Sequence, residues 1–202
     1  MDLEELFGSV EKCGFDPVMY QYFHQLLDNR TIVMNDYVTD ATVEKVFLPL
    51  KDFEKDDSNE PVTLILHSVG GEVTNGFYLA QYISQYSKPL HIIVPGIAAS
   101  MAGVILSGGG KNENVTRYCF PASYVLLHDG YVALDTSEAR TADDIMDFNK
   151  TVDADIRQFI IENTNISAEL YDKHSRQQWF IKASEMKELG LIDRIYGVDK
   201  DD

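Results

Sequence analysis

The chain has 202 residues, 45% of them hydrophobic and 25% charged, with a formal net charge of −16 and a pI near 4.5. That composition supplies one core and excludes global disorder, while the acidity repels phosphate backbones and excludes nucleic acid as a partner. No stretch approaches ~18 consecutive apolar residues, and the start Met-Asp-Leu-Glu-Glu lacks the basic flank of a secretory leader, so no membrane partner and a cytoplasmic location are expected.

Residues 1–18 mix apolar and acidic positions around Pro17 and read as an N-terminal arm; 19–198 read as one domain and 199–202 as an acidic tail. The two cysteines, Cys13 and Cys119, are too few for a disulfide framework and lack zinc spacing, so they are expected to be small buried residues with no metal. Apolar residues recur at helical intervals from Met19 to Leu27, and Arg30-Thr-Ile-Val-Met34 has the β-branched character of a strand. A helix follows from about Thr39 to Phe53, with Val43, Val46, Phe47 and Leu50 in one stripe. Val62 to Leu66 and Leu90 to Val94 read as buried strands flanking a helix from Val73 to Tyr86, the alternation of α/β packing.

A helix is predicted from near Ser100, then strands at Tyr118 to Phe120 and Tyr124 to Leu127, interrupted at Pro121-Ala-Ser123. The longest helical pattern starts after Thr141 as N-cap and carries Ile145, Phe148, Val152, Ile156, Phe159 and Ile160 on one side to about Asn163. A rod of that length, roughly 33 Å, reaches past its own core. A last helix, Ala183 to Leu189, has Gly190 placed for a left-handed cap.

Small residues surround Ser100: Gly96, Ala98, Ala99, Ala102 and Gly103. At a strand-to-helix turn they leave its hydroxyl open beside unpaired backbone N–H groups, which suits a nucleophile facing an oxyanion. Taken alone, such a serine is more often a cap or packing residue. Ala98 and Ala102 stand where a G-x-S-x-G elbow has glycines, which disfavours an α/β-hydrolase. Gly70-Gly71 follows a strand and permits close approach of a substrate backbone, though an isolated pair is usually a turn. His128 ends the apolar run Tyr124-Val-Leu-Leu127, where α/β proteins hold catalytic groups and where structural histidines also sit. Gly108-Gly-Gly-Lys111 is no phosphate loop, because Ile105 and Asn112 occupy the positions of its first glycine and its Ser or Thr.

In combination and in order, these segments resemble the ClpP family, the proteolytic subunits of an ATP-dependent protease. His67-Ser-Val-Gly-Gly-Glu-Val-Thr-Asn-Gly76 is similar to its glycine-rich oxyanion strand, Gly96 to Gly103 to its serine motif, and Phe120 to His128 to its histidine motif. Trp179 to Asp193 is similar to its closing helix and Gly-Leu-hydrophobic-Asp signature. The resemblance implies the ClpP/crotonase α/β fold of repeated strand-strand-helix units with the long helix as a protruding handle. It implies a serine endopeptidase acting on peptides or unfolded proteins, without cofactor or metal, inside two stacked heptameric rings, with an AAA+ unfoldase as a possible partner.

The implied roles are Ser100 as nucleophile, His128 as base, and the backbone N–H groups of Gly71 and Met101 as the oxyanion hole. The family's third triad position falls on His174, and the nearest acid is Asp172. A Ser-His-His triad, a shifted triad using Asp172, and a disabled site all remain open. After His128 the family's Gln-Pro and glycine-rich strand are replaced by Asp129-Gly-Tyr-Val-Ala-Leu-Asp135. A catalytically silent ring subunit and a crotonase-like acyl-CoA enzyme are the rival functions.

Overall fold

The computed structural model describes residues 17–129 and 139–199. Most of the N-terminal arm, Cys13, the acidic tail beyond 199 and the segment 130–138 lie outside the described residues. In chain order the elements are α1 (Pro17–Asp28), β1 (Thr31–Met34), α2 (Asp40–Lys55), β2 (Val62–Leu66), α3 (Val73–Ser84), β3 (Leu90–Val94) and β4 (Ile97–Ala99). There follow α4 (Met101–Ser107), β5 (Val115–Cys119), β6 (Tyr124–Leu127), α5 (Ala139–Asn163), α6 (Ala168–His174), β7 (Trp179–Lys182), α7 (Ala183–Glu188) and β8 (Arg194–Ile195).

Two sheets result. The larger is wholly parallel, in the order β1-β2-β3-β5-β8. Its strands alternate between buried and half-buried residues, as Val62–Leu66 and Leu90–Val94 show, because helices cover the sheet. The smaller sheet runs β4-β6-β7, with β4 parallel and β7 antiparallel to β6. The core joins both sheets through residues such as Leu64, Ile92, Ala98, Val125 and Ile181, all fully buried. Burial, and then the nearby Asp199, push the Cys119 thiol up to about 11, the behaviour of an inert core residue.

Beyond the unforeseen strands β4 and β7 and the start of β5 at Val115 rather than Tyr118, two local features depart from the sequence reading. The long helix begins at Ala139 rather than after Thr141, so Thr141 lies inside it instead of capping it. Ala139 and Arg140 are strong helix formers, and adding a residue to an existing helix costs little. The second is α6, a short helix capped by the Ser167 side chain, which accepts from the Leu170 N–H. Its seven residues, Ala168–His174, are too few to show a period.

The Gly-Leu-Ile-Asp193 signature is a structural clamp. Gly190 adopts φ 68° just past α7, and its carbonyl accepts from Arg117 Nη1 at 2.7 Å. Asp193 accepts from Arg117 Nη2 at 2.8 Å, from Nε at 3.1 Å and from the Arg117 backbone N–H at 2.7 Å. The Arg117 side chain is 2% exposed, so these bonds are its main compensation for leaving water.

Candidate active site

The site is assembled where the two sheets meet. Beyond β2 the chain runs on through Ser68, which pairs with Ala98 of β4 as an isolated parallel bridge, so the Gly70-Gly71 turn lies against the end of β4. Gly70 has φ 94°, and a Cβ built there would stand 2.6 Å from Ser100 Cβ and 3.0 Å from the Met101 nitrogen. Glycine at 70 is therefore required twice, by its backbone conformation and by the approach of Ser100. A Cβ on Gly71 would stand 2.3 Å from the Val38 carbonyl oxygen, with which this turn pairs in parallel.

Ser100 occupies the single residue between β4 and α4. Its backbone has φ 54° and ψ −123°, a conformation that costs a residue with a Cβ on the order of 1–3 kcal/mol. Only one other non-glycine residue among the described ones, Arg30, has positive φ. The surroundings hold the strain in place. The Ser100 N–H donates to the Leu126 carbonyl of β6 at 2.8 Å, and the Ser100 carbonyl accepts from Gly103 and Val104. With alanines at 98 and 102, the sharp, half-buried turn at Ser100 is made by strain, which no side-chain pattern discloses.

His128 is the residue after β6, and it is half-buried. It shares with Ser100 and Met101 a cavity of about 30 Å³ whose other walls include Leu127 and Tyr171. Its Nδ1 lies 2.5 Å from the Asp129 backbone carbonyl. A carbonyl only accepts, so the bonded tautomer carries its proton on Nδ1 and leaves Nε2 with a lone pair, the form a general base requires.

The two candidates for a third member are placed differently. Asp172 accepts a two-pronged ion pair from Arg157 of α5, with Nε at 2.6 Å and Nη2 at 2.8 Å. The Arg157 hydrogen bonds hold its carboxyl below the usual carboxylate range against slight desolvation, and the Arg157 and Arg176 charges add to this. His174 stacks its ring on Trp179, with centroids 4.8 Å apart and planes 25° from parallel. Both belong to the segment lying against His128, because the Asp129 N–H donates to the Ser175 carbonyl at 2.7 Å and Leu127 pairs with Trp179. The structure thus brings Ser100, Met101, His128 and the Gly70-Gly71 turn to one place. Asp172 lies in an adjoining cavity of about 380 Å³, beside Asp129, Asp153 and Tyr171.

Two residues of this region were not expected from the sequence: Tyr171, 4% exposed, and Asp153 of α5. Asp153 had a readable signal, since it lies three residues before Ile156 and seven before Ile160, on the core-facing stripe of the helix.

A parallel α/β sheet, a second small sheet, and a strained serine sharing a cavity with a histidine at the junction make an α/β protein with a candidate nucleophile and base side by side. The model of the Clp protease family matches residues 15–199, and the chain belongs to that family. The mixed architecture agrees with the ClpP-like fold expected of it. Membership brings a peptidase lineage, with peptides as substrates and ring assembly as the family's general habit. It favours the peptidase lineage over the acyl-CoA alternative.

Proposed function

We propose that the chain is a serine endopeptidase that cleaves peptides and unfolded proteins by acyl transfer, with Ser100 as nucleophile and His128 as base. The observation that carries this reading is the strained Ser100 turn opening on the cavity that His128 also lines. His128 Nε2 takes the Ser100 Oγ proton as Oγ bonds to the scissile carbonyl carbon. The oxyanion so formed faces the backbone N–H groups of Gly71 and Met101. Collapse expels the amine, which receives the proton from His128, and leaves an acyl ester on Ser100. Water, deprotonated by the same histidine, releases the acid and restores the serine.

In this reading neither Asp172 nor His174 supports His128 in the resting site. The Asp129 carbonyl fixes the imidazole tautomer through Nδ1, while Asp172 is held by Arg157 and His174 by Trp179. A carbonyl orients the ring without lending it a negative charge, so imidazolium formation is stabilised less than in a carboxylate triad. A cytoplasmic location, two stacked heptameric rings enclosing the sites, and delivery of substrate by an AAA+ unfoldase belong to the same proposal. The handle supporting the ring contact is α5, whose 25 residues extend about 37 Å.

A silent ring subunit is the second reading, favoured by the engagement of both Asp172 and His174 elsewhere. A fluorophosphonate separates the two. Labelling of the assembled wild type, lost in Ser100→Ala, supports the peptidase; an assembled protein that takes no label refutes it.

A further inference from the structure

Ser68 lies just beyond β2, is 3% exposed, and is bonded in two directions. Its backbone holds β4. The Ser68 N–H donates to the Ile97 carbonyl at 3.0 Å, and the Ser68 carbonyl accepts at 2.9 Å from the N–H of Ala99, the residue before Ser100. Its side chain holds the glycine turn: Oγ accepts from the Gly70 N–H at 3.1 Å in a buried bond. Among the described residues no other side chain bonds to Gly70 or Gly71. Ser68 is thus tied through its carbonyl to the neighbour of the proposed nucleophile and through its hydroxyl to the neighbour of Gly71.

The turn needs such a hold. Gly70 stands at φ 94°, and a residue without a Cβ has no strong preference of its own to keep it there. The Gly70 carbonyl accepts from the Val38 N–H at 2.9 Å. In a planar trans peptide the N–H points opposite to the carbonyl, so the Gly71 N–H is aimed away from Val38. Among the described residues it has no acceptor, as a donor kept for an oxyanion requires. By fixing the Gly70 N–H, the Ser68 hydroxyl fixes the rotation about Gly70 that sets where the next peptide plane points.

Resting on the peptidase reading above, we propose that Ser68 is a positioning residue of the oxyanion hole. Its hydroxyl oxygen, acting through the Gly70 N–H, sets the angle of the Gly71 N–H, while its backbone sets the end of β4, so one residue gauges donor against nucleophile. Ser68 touches no reacting atom. Its effect is felt in the transition state, because the Gly71 bond strengthens as the substrate oxygen takes on charge.

The test compares hydrolysis of one fluorogenic peptide, and inhibition by a peptide boronate whose tetrahedral adduct puts an oxygen in the hole, across assembled wild type, Ser68→Ala, Ser68→Thr and Thr164→Val. Thr164 is the matched control: it is 5% exposed, and its Oγ1 accepts from the Ile166 N–H, two residues on, at 3.1 Å between α5 and α6. Ser68→Ala should lower kcat by about 30-fold with KM within about threefold, and weaken the boronate by a factor similar to that in kcat. Ser68→Thr keeps the oxygen and should stay within about fivefold of wild type, and Thr164→Val within about threefold, whatever their urea midpoints. A kcat in Ser68→Ala within about threefold of wild type, or a loss that Thr164→Val matches, shows a bond that serves stability alone and overturns the inference while leaving the peptidase standing. Ser68→Thr as impaired as Ser68→Ala at a wild-type urea midpoint overturns it too. If the threonine methyl lowers that midpoint, the contrast between Ser68→Ala and Thr164→Val decides. A wild type that cleaves no peptide and takes no fluorophosphonate overturns the peptidase and this inference with it.

Discussion

Removing the Asp193 carboxylate should destabilise the protein far more than removing the guanidinium that it holds. In Asp193→Ala, Arg117 keeps the Gly190 carbonyl but loses its acceptors for Nε and Nη2 while its side chain remains 2% exposed. Leaving one member of a buried pair uncompensated costs about 3–5 kcal/mol, and because the Asp193 side chain is 38% exposed the lower end applies, about 3 kcal/mol. In Arg117→Met an apolar chain of similar length fills the space, and Asp193 keeps both water and the backbone N–H of residue 117. That change should cost about 1 kcal/mol. With an m-value of roughly 2–3 kcal/mol/M, the urea midpoint should fall by about 1 M in the first variant and by less than about 0.5 M in the second. Fluorescence of Trp179, the only tryptophan, reports the transition at fixed protein concentration, since any assembly adds concentration-dependent stability. Equal shifts, or a larger one for Arg117→Met, would refute the argument that the desolvated guanidinium is the vulnerable partner.

Gly70→Ala should cost about 2–4 kcal/mol and cut fluorophosphonate labelling of Ser100 by about 100-fold, because the new methyl meets Ser100 Cβ and the Ala99 carbonyl at 2.6 and 2.7 Å. Near-normal labelling would mean the turn does not set the serine's position. Asp172→Ala and His174→Ala should each lower peptide hydrolysis by less than about tenfold, because Arg157 and Trp179 already engage them, whereas loss of a true triad carboxylate costs on the order of 10⁴. A collapse of activity in either variant identifies it as the third member. Burial, with a smaller effect of Arg194, holds His91 below its ordinary value of 6.5. The unfolded chain therefore binds the extra proton first. The stability owed to neutral His91 is complete above that ordinary value and is lost as pH falls through it toward the folded value. His91→Asn should flatten the stability profile in that window, and an unchanged slope in urea titrations between about pH 7 and pH 5 would refute this.

The sequence made some of this legible and hid the rest for physical reasons. The buried strands Val62–Leu66 and Leu90–Val94 and the face of α5 were visible because burial imposes a pattern on consecutive residues. Strand β4 was not, because Ile97–Ala99 is three residues long and its alanines serve a strand or a helix equally well. Ser100 and His128 stood out only through the order of their motifs, and nothing in side-chain identity announced a positive φ at Ser100. The engagement of Asp172 depends on Arg157, fifteen residues earlier on another helix, a pairing that spacing alone does not predict. The alternation in Trp179–Lys182, buried then exposed, was readable as a strand but is hidden within the longer C-terminal motif.

The strained turn at Ser100 makes the choice of inactive variant consequential. Alanine removes the hydroxyl but inherits the left-handed backbone, so a substrate-trapping Ser100→Ala protein still carries the conformational cost of the working site. Glycine relieves it by about 1 kcal/mol, offset in part by the freedom glycine adds to the unfolded chain. The proposed nucleophile sits on strained backbone, so drift or engineering toward robustness acts against this position first.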